Sequence, residues 1–142
     1  MTFNENPEKI FIYHYVEELI SSYGSYYETN FKDEDLTLNE FSILLRIRSQ
    51  EVATQHDLVK LFKVSGAYIA KLLRKFEDKG YIARKEDPEN RRRKIVKMTD
   101  EGIKKTDKII EVIQSWENKL TANITEDEIK TLKDILFKIT MT

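Results

Sequence analysis

The sequence predicts a mainly α-helical fold with one small β-hairpin. Apolar residues recur at helical spacing along most of the 142-residue chain. Between residues 81 and 98 the pattern changes to short runs of β-branched residues interleaved with charges, which is typical of strands. Four glycines and two prolines leave little room for long flexible linkers. We therefore expect residues 1–142 to form a single domain.

The N-terminal part of the chain contains two predicted helices. The first lies in an aromatic stretch from Pro7 to about Phe31, and its apolar residues cover more than one face. The second lies at Leu36–Arg48 and opens with a capping box formed by Thr37 and Glu40. One face of this second helix is expected to be buried through Phe41, Leu44 and Leu45.

Two short amphipathic helices joined by a tight turn are predicted between Thr54 and Gly80. The first opens with an approximate capping box, in which Asp57 follows Thr54 by three positions. The second opens at Ser65, a good N-cap, and its apolar stripe consists of Ile69, Leu72, Leu73 and Phe76. Gly80 stands where the C-terminal end of a helix favours a residue that can take a positive φ.

A β-hairpin is predicted directly after this helix pair. Its strands are expected at Tyr81–Lys85 and Lys94–Met98, with the turn-rich stretch Glu86–Arg93 between them. Four consecutive cations, Arg91 to Lys94, then lie at or near the tip. A planar, weakly hydrated guanidinium suits the negative potential of a narrow DNA minor groove. The alternative role of such a charged tip is to keep an exposed hairpin soluble.

Helix, turn, helix and hairpin in this order predict a winged helix-turn-helix, in which the second helix of the pair enters a DNA groove. The face of that helix opposite its apolar stripe is small and cationic. The alternative is a solvated face on a structural helix. The predicted DNA-binding residues are Ser65, Gly66, Ala67, Tyr68, Ala70, Lys71, Arg74, Lys75, Arg84, Arg91, Arg92, Arg93 and Lys94.

The charge distribution supports DNA binding. Residues 54–97 contain 13 basic and six acidic residues, a balance of +7, whereas the whole chain has a net charge of −1. The flanking segments are therefore acidic, with a balance of −8. A chain with one basic third presents one positive surface, as expected of a specific DNA binder.

Two further helices are predicted after the hairpin. A long helix opens at Thr99, and a capping box formed by Thr125 and Glu128 opens the last helix. The terminal segments 1–35 and 103–142 are too apolar to stand alone beside a small winged domain at 36–102. We therefore expect them to be dimerisation helices that pack against a second copy, although closure of an intramolecular core is the alternative.

Composition argues against several other classes of protein. Cysteine is absent, which excludes disulfides and thiolate metal sites, and the two histidines, His14 and His56, are far apart. No metal site, cofactor or catalytic constellation is therefore expected, and the chain is not predicted to be an enzyme. No run of about 18 apolar residues and no signal peptide pattern is present, so we expect a cytoplasmic protein without membrane association.

Two motifs are similar to signatures of the MarR family (multiple antibiotic resistance regulators). The segment Asn90–Gly102 resembles the wing signature of that family, D-x-R followed by a short apolar strand and L-T-x-x-G. The segment Phe76–Ile82 resembles the family pattern L-E-x-x-G-(L/Y)-(I/V). Length and element order also agree with the family over nearly the whole chain.

The resemblance implies roles for individual residues. Arg92 would reach the minor groove from the wing, and residues 65–75 would enter the major groove. Thr99 and Gly102 would be structural, at the start of the long dimerisation helix.

Three positions depart from the family pattern. Asn90 replaces the usual aspartate, so the ion pair that orients the wing arginine is either lost or supplied by Asp87. Arg93 stands where a small residue is usual, and Met98 replaces a leucine. We therefore expect the wing to bind phosphates more strongly and to read sequence less sharply.

The resemblance also implies an effector. Members of the family usually lose DNA affinity when a small aromatic or phenolic acid binds between the dimer helices and the winged domain. Tyr15 and Tyr23 are candidates to line such a site, and Arg46 or Arg48 is a candidate partner for the carboxylate. Packing at a dimer interface is the alternative role of the tyrosines.

The expected function is transcriptional regulation by a homodimeric repressor that binds double-stranded DNA at a pseudo-palindromic operator. Two half-sites about one helical turn apart would match the two recognition helices of a dimer. The alternatives are a non-specific architectural DNA binder and a winged-helix adaptor that binds proteins instead of DNA. The cationic helix face and wing argue against the adaptor, which has no need of them.

Overall fold

The computed structural model describes residues 6–33, 35–50 and 53–141. A short 3₁₀ turn at Pro7–Lys9 precedes the first helix. The helices are α1 (Ile12–Asn30), α2 (Leu38–Ser49), α3 (Gln55–Phe62), α4 (Gly66–Asp78), α5 (Asp100–Leu120) and α6 (Glu126–Thr140). The strands are β1 (Ala53–Thr54), β2 (Ile82–Asp87) and β3 (Asn90–Met98). The predicted mainly helical fold with a hairpin wing is confirmed.

The chain divides into two compact units. The first, which we call the winged unit, comprises residues 33–110 and contains α2, α3, α4, the three strands and the first half of α5. The second, which we call the terminal-helix unit, comprises the residues up to 32 and from 111 onward, with α1, the second half of α5 and α6. The predicted division into dimerisation and DNA-binding segments stays a prediction.

The core of the winged unit is built around the apolar stripe of α4. All four stripe residues that the sequence predicts are at most 5% exposed: Ile69, Leu72, Leu73 and Phe76. Further fully buried side chains come from α2, α3 and α5, namely Phe41, Leu44, Ile47, Leu58 and Ile109. Burial of each large apolar side chain contributes roughly 1.5–3 kcal/mol, so this cluster fixes the rotation of α4 about its own axis.

The three strands form an antiparallel sheet in the order β1-β3-β2. The hairpin register runs regularly from the pair Ile82–Met98 to the pair Glu86–Lys94. The next pair is Asp87–Asn90, so the ladder skips the three arginines between Asn90 and Lys94. We call Arg91–Arg93 the arginine bulge.

The predicted wing turn, Glu86–Arg93, was too long. Both strands continue further, and only Pro88 and Glu89 form the turn itself. Backbone pairing does not require apolar side chains when both faces of a hairpin are open to water, so a polar composition did not end the strands. The strand β1 was not predicted, because a segment of two residues is too short to show any periodicity.

The helix ends follow local sequence chemistry. Three predicted capping boxes are confirmed: Thr37 with Glu40, Thr54 with Asp57, and Thr125 with Glu128. The Ser65 hydroxyl accepts a hydrogen bond from the Tyr68 amide at 3.1 Å, and Gly80 has a φ of 80°, both as predicted. One feature was not predicted: Lys63 ends α3 in the left-handed region, with a φ of 52°.

The start of α5 is fixed against the end of α4. The Thr99 hydroxyl donates to the Gly80 carbonyl at 2.5 Å and accepts the Gly102 amide at 3.0 Å. A Cβ atom at Gly102 would collide with the Tyr81 carbonyl oxygen and would lie 2.9 Å from the Met98 methyl group. Thr99 and Gly102 thus have the structural roles that the resemblance implies.

The terminal-helix unit exposes much of its apolar surface. The Trp116 indole donates to the Ser22 hydroxyl at 3.0 Å, and the Tyr23 ring packs edge-on against that indole. Outside this contact, large side chains of α1 and α6 are open to solvent, including Ile12 (73%), Ile20 (68%), Ile135 (49%) and Phe137 (64%). No helix among the described residues is both long and apolar enough to cross a membrane.

Substitution of two glycines by alanine is expected to change stability in opposite directions. Gly102→Ala places a methyl group against the Tyr81 backbone, so we expect a loss of about 1–3 kcal/mol. Gly24→Ala lies in α1, where a Cβ would meet nothing within 4 Å, and we expect a gain of about 0.5–1 kcal/mol. Urea denaturation at one fixed protein concentration measures both. Equal effects of the two substitutions would contradict the close approach at Gly102.

Candidate nucleic-acid interface

The outward face of α4 carries the predicted major-groove residues. Because the apolar stripe is buried, the opposite side of the helix faces solvent, and Ala67, Lys71 and Arg74 are exposed there. Tyr68 is 39% exposed, and its hydroxyl accepts a long hydrogen bond of 3.4 Å from Asn39. Ser65 and Gly66 are also exposed at the start of the helix, whereas Ala70 is half-buried. The residues at the N-terminal end of this face are small apart from Tyr68, and its two cations lie near the middle of the helix.

The wing presents the second group of predicted residues. Arg91, Arg92, Arg93 and Lys94 are all exposed, and the first three form the arginine bulge. Because the ladder skips the bulge, its side chains are not confined to the alternation of a regular strand. A flexible guanidinium on a projecting hairpin is suited to enter a narrow minor groove.

Asn90 holds the backbone of the bulge instead of forming an ion pair. Its side-chain oxygen accepts a hydrogen bond from the Arg92 amide at 3.1 Å. The Asp87 carboxylate accepts the Glu89 amide at 3.0 Å, inside the turn. Among the ion pairs of the described residues, none joins Asp87 to Arg92, so the substitution at position 90 is not compensated in that way.

A cationic groove lies between the wing and the helix pair. Its volume is about 320 Å³, and it is lined by Thr54, Gln55, His56, Val59, Gly66, Arg92, Arg93 and Lys94. The starts of α3 and α4 both border it, and backbone amides at helix N-termini favour anions. The groove can therefore hold a phosphate of a DNA backbone. Gln55 and His56 line this groove but are not among the predicted DNA-binding residues, because α3 was interpreted only from its apolar spacing.

Two predicted DNA contacts, Lys75 and Arg84, are held closely within the chain, and a third, Lys94, lies 3.7 Å from the Glu86 carboxylate. The Lys75 ammonium lies 2.7 Å from the Glu40 carboxylate of α2. The Arg84 guanidinium lies 3.0 Å from the Glu77 carboxylate of α4 and donates to the Gln55 side chain at 3.2 Å. Their assignment as DNA contacts stays a prediction.

The carboxylates of these two pairs have lowered pKa values. Burial on its own would raise the pKa of Glu40, but the hydrogen bond from Lys75 and a backbone amide lower it below the ordinary value. Hydrogen bonds from Arg84 lower the pKa of Glu77. Both carboxylates are therefore ionised at neutral pH and neutralise part of the positive charge of the winged unit.

A cluster of ion pairs and hydrogen bonds holds the C-terminal end of α4. Lys105 of α5 lies 2.6 Å from Asp33 and 3.3 Å from Asp35, while Lys79 and the Tyr81 hydroxyl also bind Asp35, at 3.0 and 2.8 Å. Burial alone would lower the pKa of Lys105, but its hydrogen bonds to the two aspartates raise it above its ordinary range. Hydrogen bonds from Lys79, Tyr81 and Lys105 hold the pKa of Asp35 far below the ordinary value. The cluster joins the end of α4 and the start of β2 to α5.

The four predicted effector residues lie in two different units. Tyr15 and Tyr23 belong to the terminal-helix unit, where the Tyr15 hydroxyl donates to the Pro7 carbonyl at 3.1 Å. Arg46 of the winged unit is exposed. Arg48 donates to Ile103, Thr106 and Asp107, the last at 2.6 Å, so its guanidinium is already engaged. Their contact with a ligand stays a prediction.

The fold and the cationic surface together define a winged helix-turn-helix DNA-binding protein. The model of the MarR family matches residues 36–94 of this chain. The multiple antibiotic resistance protein MarR of Salmonella typhimurium is 31% identical over 106 residues, which cover 74% of each chain. The chain belongs to the MarR family of transcriptional regulators.

Solved structures agree with this assignment. A crystal structure of MarR has a TM-score of 0.78 to this chain and is 29% identical, with 97% of this chain and 94% of that chain covered. BpsR of Bordetella bronchiseptica, whose DNA binding is regulated by 6-hydroxynicotinic acid, is 16% identical with a TM-score of 0.73, over 99% of both chains. The likeness to BpsR concerns the fold alone.

Metal binding has no support in the described residues. His14 lies 3.4 Å from Glu17 on α1, and His56 borders the cationic groove. Within residues 6–33, 35–50 and 53–141, no group of three or more histidine, cysteine, aspartate or glutamate side chains is placed to hold an ion.

Proposed function

We propose that this chain is a homodimeric repressor that binds a pseudo-palindromic DNA operator and is released by a small aromatic acid. The observation that carries the proposal is the pairing of an exposed cationic face on α4 with the arginine bulge of the wing. Both lie in the segment 54–97, which has a charge of +7 in a chain with a net charge of −1. The rest of the chain is acidic, which limits non-specific attraction to polyanions.

The dimensions of the winged unit suit simultaneous contact with two grooves. With 13 residues, α4 is about 20 Å long and fits into a major groove about 12 Å wide. The wing is a separate projection, and its guanidinium groups suit the adjacent minor groove. An adaptor that binds proteins would gain nothing from this cationic pair of surfaces. An architectural binder would use them but would not discriminate between sequences.

Dimerisation through the terminal helices is supported by their exposed apolar surface. No residue of α6 is buried in the single chain, although the helix has an apolar stripe that includes Leu132, Ile135 and Leu136. Soluble proteins rarely leave contiguous apolar patches of this kind uncovered. A second copy of the chain would cover them and would present two copies of α4 to two half-sites.

The proposed effector is a small aromatic acid. BpsR, which shares the fold, responds to such a compound. Within the winged unit, the exposed Arg46 supplies a cation for a carboxylate.

The DNA-binding role of the wing predicts a strong effect of one arginine. Genomic-fragment selection with the purified chain should enrich a pseudo-palindrome bound at least about a thousandfold more tightly than random DNA. Arg92→Ala should then weaken binding to that fragment by about 1–3 kcal/mol and reduce the slope of log K against log salt by about one.

The matched control for this experiment is Lys108→Ala, which removes an exposed cation from α5, outside the predicted interface. It should leave the affinity nearly unchanged. Unaltered binding by Arg92→Ala would remove Arg92 from the site. Steep salt dependence without a preferred sequence would instead indicate an architectural binder, and absence of binding at low salt would favour the adaptor.

Dimerisation predicts that a charge on the apolar stripe of α6 separates the subunits. Ile135→Asp should convert the dimer to a monomer in sedimentation equilibrium, because an unpaired carboxylate would be buried in the interface. The same variant should bind the selected operator at least about tenfold more weakly, since only one half-site is engaged. Lys130→Asp places the same carboxylate at an exposed position on the opposite face of α6 and should remain dimeric. A dimeric Ile135→Asp protein would place the interface elsewhere.

Release by an effector predicts a ligand-dependent loss of DNA binding. Titration of the protein–operator complex with 6-hydroxynicotinic acid, used as a probe of the aromatic-acid class, should release DNA in a saturable manner. Arg46→Gln should raise the concentration for half-release by about tenfold, because a charge-assisted hydrogen bond to the carboxylate is lost. An unchanged half-release concentration in the variant would exclude Arg46, and no release by several aromatic acids would exclude the class.

A further inference from the structure

Three ion pairs hold the C-terminal end of α4. Lys75 is joined to Glu40 of α2, Glu77 to Arg84 of β2, and Lys79 to Asp35. The outward face of the helix, opposite the apolar stripe, differs. Among the ion pairs of the described residues, none involves Lys71 or Arg74, and both side chains are exposed. The C-terminal end of the helix is therefore anchored to its neighbours, whereas its outward face, with Lys71 and Arg74, is open to solvent.

Arg84 makes the most extensive of these contacts. Its Nε and one terminal nitrogen donate to the two carboxylate oxygens of Glu77, at 3.3 and 3.0 Å. Its other terminal nitrogen donates to the Gln55 side chain at 3.2 Å. The side chain is only 21% exposed. A bidentate pair of this kind fixes both distance and orientation, so one guanidinium joins β2, α4 and α3.

The position of Arg84 in the sheet means that its contacts with Glu77 and Gln55 control the angle of the wing. Arg84 pairs with Val96 in the hairpin ladder, and Val96 is 2% exposed at the base of the wing. The arginine bulge lies at the far end of the same hairpin. A change of angle at the base is therefore amplified at the tip. Simultaneous reading of two grooves requires a fixed offset between the tip and the outward face of α4.

We infer that Arg84 and Lys75 are positioning residues, which set the offset between α4 and the wing through Glu77, Gln55 and Glu40, and that they do not touch DNA. The inference rests on the proposed function and deepens it, because it divides the cationic residues of the winged unit into two groups. Lys71, Arg74 and the arginine bulge contact DNA. Arg84 and Lys75 hold those groups in place.

The salt dependence of DNA binding separates the two roles. Loss of a cation that contacts a phosphate lowers the affinity and also reduces the slope of log K against log salt by about one. Loss of a positioning cation lowers the affinity for the operator without this change of slope. Substitution of the acidic partner Glu77 distinguishes the two roles further. Removal of its negative charge would strengthen DNA binding if Arg84 contacted DNA directly, and would weaken it if the Arg84–Glu77 pair held the wing in place.

The test uses the selected operator and three variants of the pair. Arg84→Gln and Glu77→Gln should each weaken operator binding by about tenfold with an unchanged salt slope. The reversed pair, Glu77→Arg with Arg84→Glu, should recover most of the affinity, because the ion pair is restored with opposite polarity. Asp78→Asn removes a neighbouring exposed carboxylate from α4 and should not weaken binding. A slope reduced by one in Arg84→Gln, without recovery in the reversed pair, would overturn the inference.

A second measurement needs no DNA. The chain contains no cysteine, so Lys71→Cys with Glu89→Cys places one spin label on α4 and one on the wing turn. Labelled chains diluted with unlabelled ones should give a narrow distance distribution that broadens in Arg84→Gln and narrows again in the reversed pair. An unchanged distribution would overturn the positioning role. If the distribution broadens but the parent chain shows no sequence preference, the positioning role stands and the operator proposal fails.

Discussion

The arrangement of the winged unit depends on burial of one apolar stripe. Four large side chains of α4 are buried, and their burial fixes the rotation of the helix about its own axis. Because the stripe faces the core, Lys71 and Arg74 on the opposite face are exposed to solvent. Ser65 lies at the surface where the helix begins, and the hairpin follows the end of the helix. The position of the cationic surface therefore follows from the packing of the apolar stripe. A substitution that reduced this apolar burial would displace the cationic residues even though none of them had been changed.

Around this core, acidic residues form ion pairs with lysine and arginine side chains that join α4 to neighbouring elements. Glu40, Glu77 and Asp35 each neutralise a cation at the back or the end of α4. Lys71 and Arg74 on the outward face of α4 and the arginine bulge of the wing form no ion pair among the described residues, so positive charge remains there. Net charge alone would not show this, since the chain as a whole is nearly neutral. The pattern favours a directed approach to DNA over general adhesion to polyanions.

Features encoded within a few residues were predictable from the sequence, and features that depend on distant partners were not. The three capping boxes, the cap at Ser65 and the positive φ of Gly80 are local, and each is present. The left-handed residue at Lys63 was missed because a lysine gives no signal for it. The pairing of Arg84 with Glu77 and Gln55 was also missed, since a basic residue on a strand has the same pattern whether it faces DNA or a carboxylate. The DNA and effector contacts themselves remain predictions.

The interruption in the hairpin ladder has a consequence for how such a protein can diverge. Regular pairing ends at Glu86 with Lys94 and resumes at Asp87 with Asn90, so the three residues between Asn90 and Lys94 lie outside the register. Insertions or deletions there leave every core-facing strand residue on its original face. The reach of the wing can therefore be lengthened or shortened during evolution without refolding its base. A change in the length of the wing thus leaves the packing of the hydrophobic core unchanged.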